Sequence, residues 1–189
     1  MKTAKTPYFF HDKPLFGLDI GHGSLKAMQL SESSLEPGKQ PRIVGYGFAT
    51  FDRAAQENGV IVQPEIIAKA AHDLFKNHLI GDITTRRVAL AIPAYRTYTR
   101  SLQLPKLKSS ELAEAVRLEA EQYISLPLED LYLDYDIIRQ TEDKTELFVV
   151  AVPKTIVDSY LELAQILGLE TVLIEPTLSS SGRLFSIGE

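Results

Sequence analysis

The sequence contains no cysteine and no tryptophan. Without cysteine there is neither a disulfide framework nor a thiolate metal centre, so an apolar core must hold the fold together. Acidic residues outnumber basic ones, 25 against 20, and the formal charge of -5 argues against the basic face of a dedicated nucleic-acid binder. No apolar run approaches the roughly 20 residues that span a bilayer. The opening stretch MKTAKTPYFFHDKP has lysines but no apolar centre or small-residue cleavage site, so it does not read as a signal peptide. These absences lead to the expectation of a cytoplasmic protein. What is present, 44% hydrophobic and 24% charged residues over 189 positions, suits one domain of ordinary size or two small subdomains.

The rest of the chain is organised around Phe16 to Leu30, FGLDIGHGSLKAMQL. Phe16, Leu18 and Ile20 alternate with Gly17 and Asp19, the period of a strand. Gly21, His22, Gly23 and Ser24 turn the chain, and Leu25, Ala27, Met28 and Leu30 resume an apolar pattern. Two glycines flanking one residue let backbone N–H groups converge on a phosphate-sized concavity. Asp19 at its mouth suits a hydrated metal ion, and Lys26 can present its ammonium to the same space. The alternative is an ordinary hairpin with glycine turn chemistry.

Arg42 to Phe51 reads as a third strand, with Gly45 and Gly47 weakening its interior or marking a bulge. Ser31 to Pro41 is then an exposed loop. Pro64 opens a helix expected to run to about Leu79 and stop at Gly81. His72 and His78 fall on different faces of it and make no metal pair. Arg86 to Ile92 follows as a buried strand. Tyr98 to Leu104 is a strand, and Ser109 or Ser110 is expected to cap a helix reaching Ile124. Its glutamates at 111, 114, 119 and 121 read as a solvated face. Leu131 to Arg139 and Glu146 to Val152 form a hairpin, with Asp134 and Asp136 on its outer face. Thr155 is expected to cap a last helix ended by Gly168, before a strand from Glu170 to Glu175 and a further helix within 177–187.

In this order of elements the chain resembles the type IV pilus assembly proteins of the PilM type, relatives of the cell-division protein FtsA in the actin-like ATPase superfamily. The likeness is carried by LDIGHGSLKAMQL, by NGVIVQPEIIAKAAHDLF, by LPKLKSSELAEAVRLEAEQYISLPLEDLYLDYDII and by VVAVPKTIVDSYLELAQILGLETVLIEP. It implies a mixed α/β fold: an actin-like, ribonuclease H-like subdomain over 1–97 and 168–189, with a strand-helix-strand-strand insertion over 98–167. It also implies that Asp19, Gly21, His22, Gly23, Ser24 and Lys26 hold the phosphates of ATP, with Mg reached from Asp19 through water. A complete nucleotide site would need a second phosphate loop and an adenosine pocket. The sequence ends at Glu189 without either, so a half-site is expected.

The resemblance further implies a cytoplasmic scaffold, not an enzyme, peripheral to the inner membrane through its partner. That partner is the N-terminal tail of a membrane protein of the PilN type, alongside other platform and motor components. The groove for the tail is expected near Tyr95, Tyr98, Leu102 and Leu104. Two alternatives are a phosphoryl-transfer enzyme of the superfamily, for which Glu175 and Asp134 are the loosely eligible carboxylates, and an FtsA-like division protein. The enzyme needs an in-line base with supporting motifs, and the division protein needs a C-terminal amphipathic membrane helix. The sequence shows neither.

Overall fold

A computed structural model describes residues 13–31 and 42–177. The loop expected from Ser31 to Pro41 and the helix expected within 177–187 fall almost wholly outside the described residues, as does most of the leader.

The first three strands form the expected meander: β1 (Phe16–Gly21), β2 (Ser24–Leu30) and β3 (Ile43–Thr50), each antiparallel to the next. Alternation decides their orientation. Phe16, Leu18, Ile20, Leu25 and Ala27 are buried on one face, while Asp19, Lys26, Met28, Tyr46 and Phe48 point the other way. A small hairpin, β4 (Gln56–Glu57) and β5 (Val60–Ile61), follows. Helix α1 (Pro64–Asn77) then crosses over to β7 (Arg87–Ile92), which pairs in parallel with β1.

One expectation about this region is corrected. The helix does not run on to Gly81. His78 closes it by donating its N–H to Leu74 O at 3.0 Å, and β6 (Leu79–Gly81) turns back to pair with β3. The glycines of β3, expected to weaken its interior or mark a bulge, also have a packing role. A Cβ at Gly47 would lie 2.9 Å from both His78 O and Leu74 Cδ2, and one at Gly45 would strike the Asp82 carbonyl. These glycines let α1 and β6 pack directly onto β3, and the expected bulge lies beside Gly45, where the β2–β3 register steps from Gln29–Gly45 to Leu30–Ile43.

Strand β8 (Tyr98–Pro105), helix α2 (Ser109–Tyr123), β9 (Leu131–Gln140) and β10 (Lys144–Pro153) build a second lobe, with strand order β8-β10-β9. Helix α2 lies on one face of that sheet, where Leu112 and Val116 pack with Leu102, Leu104, Leu147 and Val149. Ala120, Ile124, Leu128, Leu131 and Ala151 form an adjoining cluster, with Leu133 packed against both. Neither Ser109 nor Ser110 caps α2. Lys108 holds the N-cap position, and the Glu111 carboxylate accepts its backbone N–H at 3.0 Å.

Helix α3 (Lys154–Ile166) starts directly from β10, without the cap expected from Thr155. Asp158 accepts a hydrogen bond from the Tyr132 hydroxyl at 3.0 Å instead of closing a capping box. Ile156, Tyr160, Leu163 and Ala164 of this helix pack with α1 and the first sheet. The core of the second lobe therefore ends at about Pro153, and α3, expected inside the insertion up to residue 167, packs in the first core. Gly168 (φ +66°) ends α3 as expected, and β11 (Glu170–Pro176) returns parallel to β7. The large sheet has the order β11-β7-β1-β2-β3-β6, with α1 and α3 on its buried face.

Candidate functional site

The turn from β1 to β2 is a two-residue hairpin. Gly21 pairs with Ser24, leaving His22 and Gly23 at the tip. Gly23 has φ +96°, a conformation that glycine adopts without strain. Its N–H donates to Gly21 O at 2.9 Å, and its carbonyl accepts the Phe51 N–H at 3.1 Å. The end of β3 is thereby tied to the turn.

Two pairs below the tip, Asp19 and Lys26 face each other across the strands, with Lys26 Nζ 3.1 Å from Asp19 Oδ2. Both lie on the face of the sheet not covered by α1 and α3. In register they belong to one row, Glu175, Ala91, Asp19, Lys26 and Phe48, that crosses five strands. The neighbouring row is Leu173, Ala89, Gly17, Met28, Tyr46 and Ile80. Small residues in the middle of both rows leave a cleft of about 690 Å³, with the Asp19–Lys26 pair and Glu175 among its lining. Strand spacing puts Asp19 and Glu175 on strands about 10 Å apart.

The six expected phosphate-loop residues are thus contiguous in space around one hairpin. Of the two loosely eligible carboxylates, Glu175 reaches the cleft. Asp134 does not; it lies on the second lobe and accepts the N–H of Tyr135 at 2.9 Å. Among the described residues no group of three or more His, Asp or Glu could hold a metal ion. The donor set fits an ion carried on phosphate oxygens with one carboxylate nearby, the usual mode for Mg, and not an all-protein cage.

Sequence reasoning missed Arg53. It opens a short 3-10 turn, Arg53–Ala55, in which Asp52 Oδ1 accepts the Ala54 N–H at 2.9 Å. A Cβ on Gly23 would fall 2.8 Å from Arg53 Cγ, so the arginine stem rests against the glycine tip. No local pattern signals such a contact between residues that far apart in sequence. Met28, Tyr46, Phe48 and Ile80 are exposed on this face, and β2 and β3 carry apolar residues at both parities, as doubly covered strands do.

A second cleft, of about 320 Å³, lies between the lobes. Asn58 and Val60 form one wall, Tyr95 to Tyr98 the crossing segment, and Leu126, Pro153, Thr155 and Ile156 the remainder. Arg96 Nε donates to Asn58 O at 2.8 Å and fixes the crossing to the β4–β5 hairpin. Of the four expected groove residues, Tyr95 and Tyr98 line this cleft. Leu102 and Leu104 do not: they alternate toward α2 and are buried beneath it. The outer edge of β8 has no strand beside it among the described residues.

The family model for type IV pilus assembly protein PilM matches residues 17–177. The chain belongs to this PilM family. Among solved structures, it is similar to a chain of a PilM–PilN type IV pilus biogenesis complex, with TM-score 0.75 and 25% identity. That match covers 87% of this chain and 48% of the other, so the chain spans about half the length of that relative. The cytoplasmic domain of EpsL, an inner membrane component of the type II secretion system of Vibrio cholerae, is similar at TM-score 0.54 and 12% identity, over 87% of this chain and 57% of that one. A Bacteroides thetaiotaomicron protein with an actin-like ATPase fold gives TM-score 0.49 at 10% identity, over 98% and 60%. The PilM-type chain described here has a mixed α/β fold built on one large sheet. No helix among its described residues is long and apolar enough to cross a membrane.

Proposed function

We propose that this chain is a non-catalytic scaffold of the type IV pilus assembly machinery. It holds the extended cytoplasmic tail of a PilN-type membrane protein in the cleft between its lobes and so sits at the cytoplasmic face of the inner membrane. The observation that carries the reading is the interlobe cleft itself, with Tyr95 and Tyr98 in its lining and, leading away from Tyr98, an edge of β8 that has no strand beside it among the described residues. An extended peptide gains backbone hydrogen bonds from such an edge and selectivity from side-chain pockets. Membership of the PilM family and the likeness to a chain of a PilM–PilN complex support the choice of partner.

The glycine hairpin is the second part of the proposal. Asp19, Gly21, His22, Gly23, Ser24 and Lys26 form a half-site for the phosphates of Mg-ATP, with the ion reached from Asp19 through water. Bound nucleotide would supply negative charge for the turn to order around; no residue here is assigned a proton-transfer role. The Asp19–Lys26 ion pair keeps the lysine ammonium beside the turn and offsets the repulsion between Asp19 and phosphate.

Calorimetry with a synthetic PilN-type N-terminal tail peptide tests the scaffold reading. Saturable binding is expected, weakened about tenfold by Tyr98→Ala, the size of effect typical of a truncated aromatic anchor. Equal affinity for the wild type and this variant would remove the tail from the cleft. Steady ATP turnover by the isolated chain would contradict the non-catalytic reading.

A further inference from the structure

Arg53 stands beside the glycine hairpin with its charge uncommitted. Its stem rests on Gly23, and at that position a Cβ would also lie only 3.3 Å from Arg53 Nε. Among the described residues Arg53 has no ion pair, whereas the other cation near the turn, Lys26, is already bound to Asp19 at 3.1 Å. Lys26 and Asp19 together contribute almost no net charge, and the Asp52 side chain is engaged with the Ala54 N–H, so Arg53 is the cation left at the tip without an ion pair among the described residues. Two restraints hold the arginine there. The Phe51 N–H bonds Gly23 O, and the Asp52 side chain caps the 3-10 turn that Arg53 opens. The glycine at 23 therefore serves both the positive φ of the turn and the passage of the arginine stem across it.

We propose that Arg53 is the cation that reads the outer phosphates of a nucleoside polyphosphate seated on the Gly21–Ser24 turn. This rests on the half-site reading above and adds a residue to it. A planar guanidinium can donate two parallel N–H bonds to one phosphate group, which a lysine ammonium cannot reproduce. Its position over the hairpin tip, two residue pairs beyond the Asp19–Lys26 pair, directs that selectivity to phosphates and not to base or ribose. The ligand class is accordingly a di- or triphosphate, with the base unread by this side chain.

The test uses the whole chain and titrates Mg-ATP, Mg-ADP and AMP into wild type, Arg53→Ala and Arg53→Lys, with thermal unfolding in the absence of nucleotide as a check on folding. Arg53→Ala should weaken Mg-ATP about tenfold or more, the usual yield of a charge-assisted bond. It should weaken Mg-ADP less and AMP hardly at all. Arg53→Lys should recover part of the loss, and the unfolding midpoint should not move. Binding by the wild type that Arg53→Ala leaves unchanged, or weakens equally for all three nucleotides, overturns the role of Arg53 while leaving the half-site standing. No saturable binding by the wild type overturns the half-site and this inference together.

Discussion

Gly47 and Tyr160 show how single residues fix the first lobe. Because His78 O and Leu74 Cδ2 would lie 2.9 Å from a Cβ at Gly47, one added methyl must push α1 off the sheet. Gly47→Ala is expected to cost about 1–3 kcal/mol, the range for overpacking, measured by denaturant unfolding. Tyr160 is fully buried, and its hydroxyl meets Gln56 Nε2 at 3.3 Å and Ile20 O at 3.4 Å. Burial, with a smaller contribution from the nearby Tyr95, raises its pKa far above the ordinary phenol range. The folded state thus keeps a proton that the unfolded chain releases near pH 10. Stability from this residue is complete below that pH and falls as pH rises past it. Tyr160→Phe should flatten the alkaline limb of a stability–pH curve; an unchanged limb would mean that another group controls it. At this scale the sequence exposed Asp19 and Lys26, because a two-residue turn dictates which residues face each other. It concealed Arg53 and the tightness around Gly47, which depend on contacts between distant segments.

Elements were more legible than their ends. The alternation in β1 and the apolar stripe of α1 located both, since each periodicity is physically tied to one buried face. Helix ends misled where side-chain caps were assumed: α2 is closed from Glu111 and α3 begins without a side-chain cap. The stripe of α3 also marked a buried face without saying which core received it. The short strands β4, β5 and β6 lack enough residues for a period to show. The second lobe depends on α2 covering its sheet, with Leu147 fully buried in the interface. Leu147→Ala should cost about 2–5 kcal/mol, and hydrogen exchange should accelerate in α2 more than in β1 and β7. Equal acceleration throughout would show that the two cores unfold as one.

Among the described residues the first lobe has one core and the second lobe two adjoining clusters, the lobes are joined at crossings near Thr97 and at Pro153, and the candidate tail cleft lies where those crossings meet. A division of the chain near residue 97 was implied by the family resemblance. The split of Tyr95 and Tyr98 from Leu102 and Leu104 was not, because one alternating strand sends its leucines under α2 while its first residue remains at the cleft. The measurement that bears most directly on the scaffold account is an NMR titration of the isotope-labelled chain with the PilN-type tail peptide. The account predicts the largest shift changes at Asn58, Val60, Tyr95–Tyr98 and Thr155–Ile156, extending along the amides of β8. Saturable binding whose shifts cluster elsewhere, with those residues undisturbed, would contradict it.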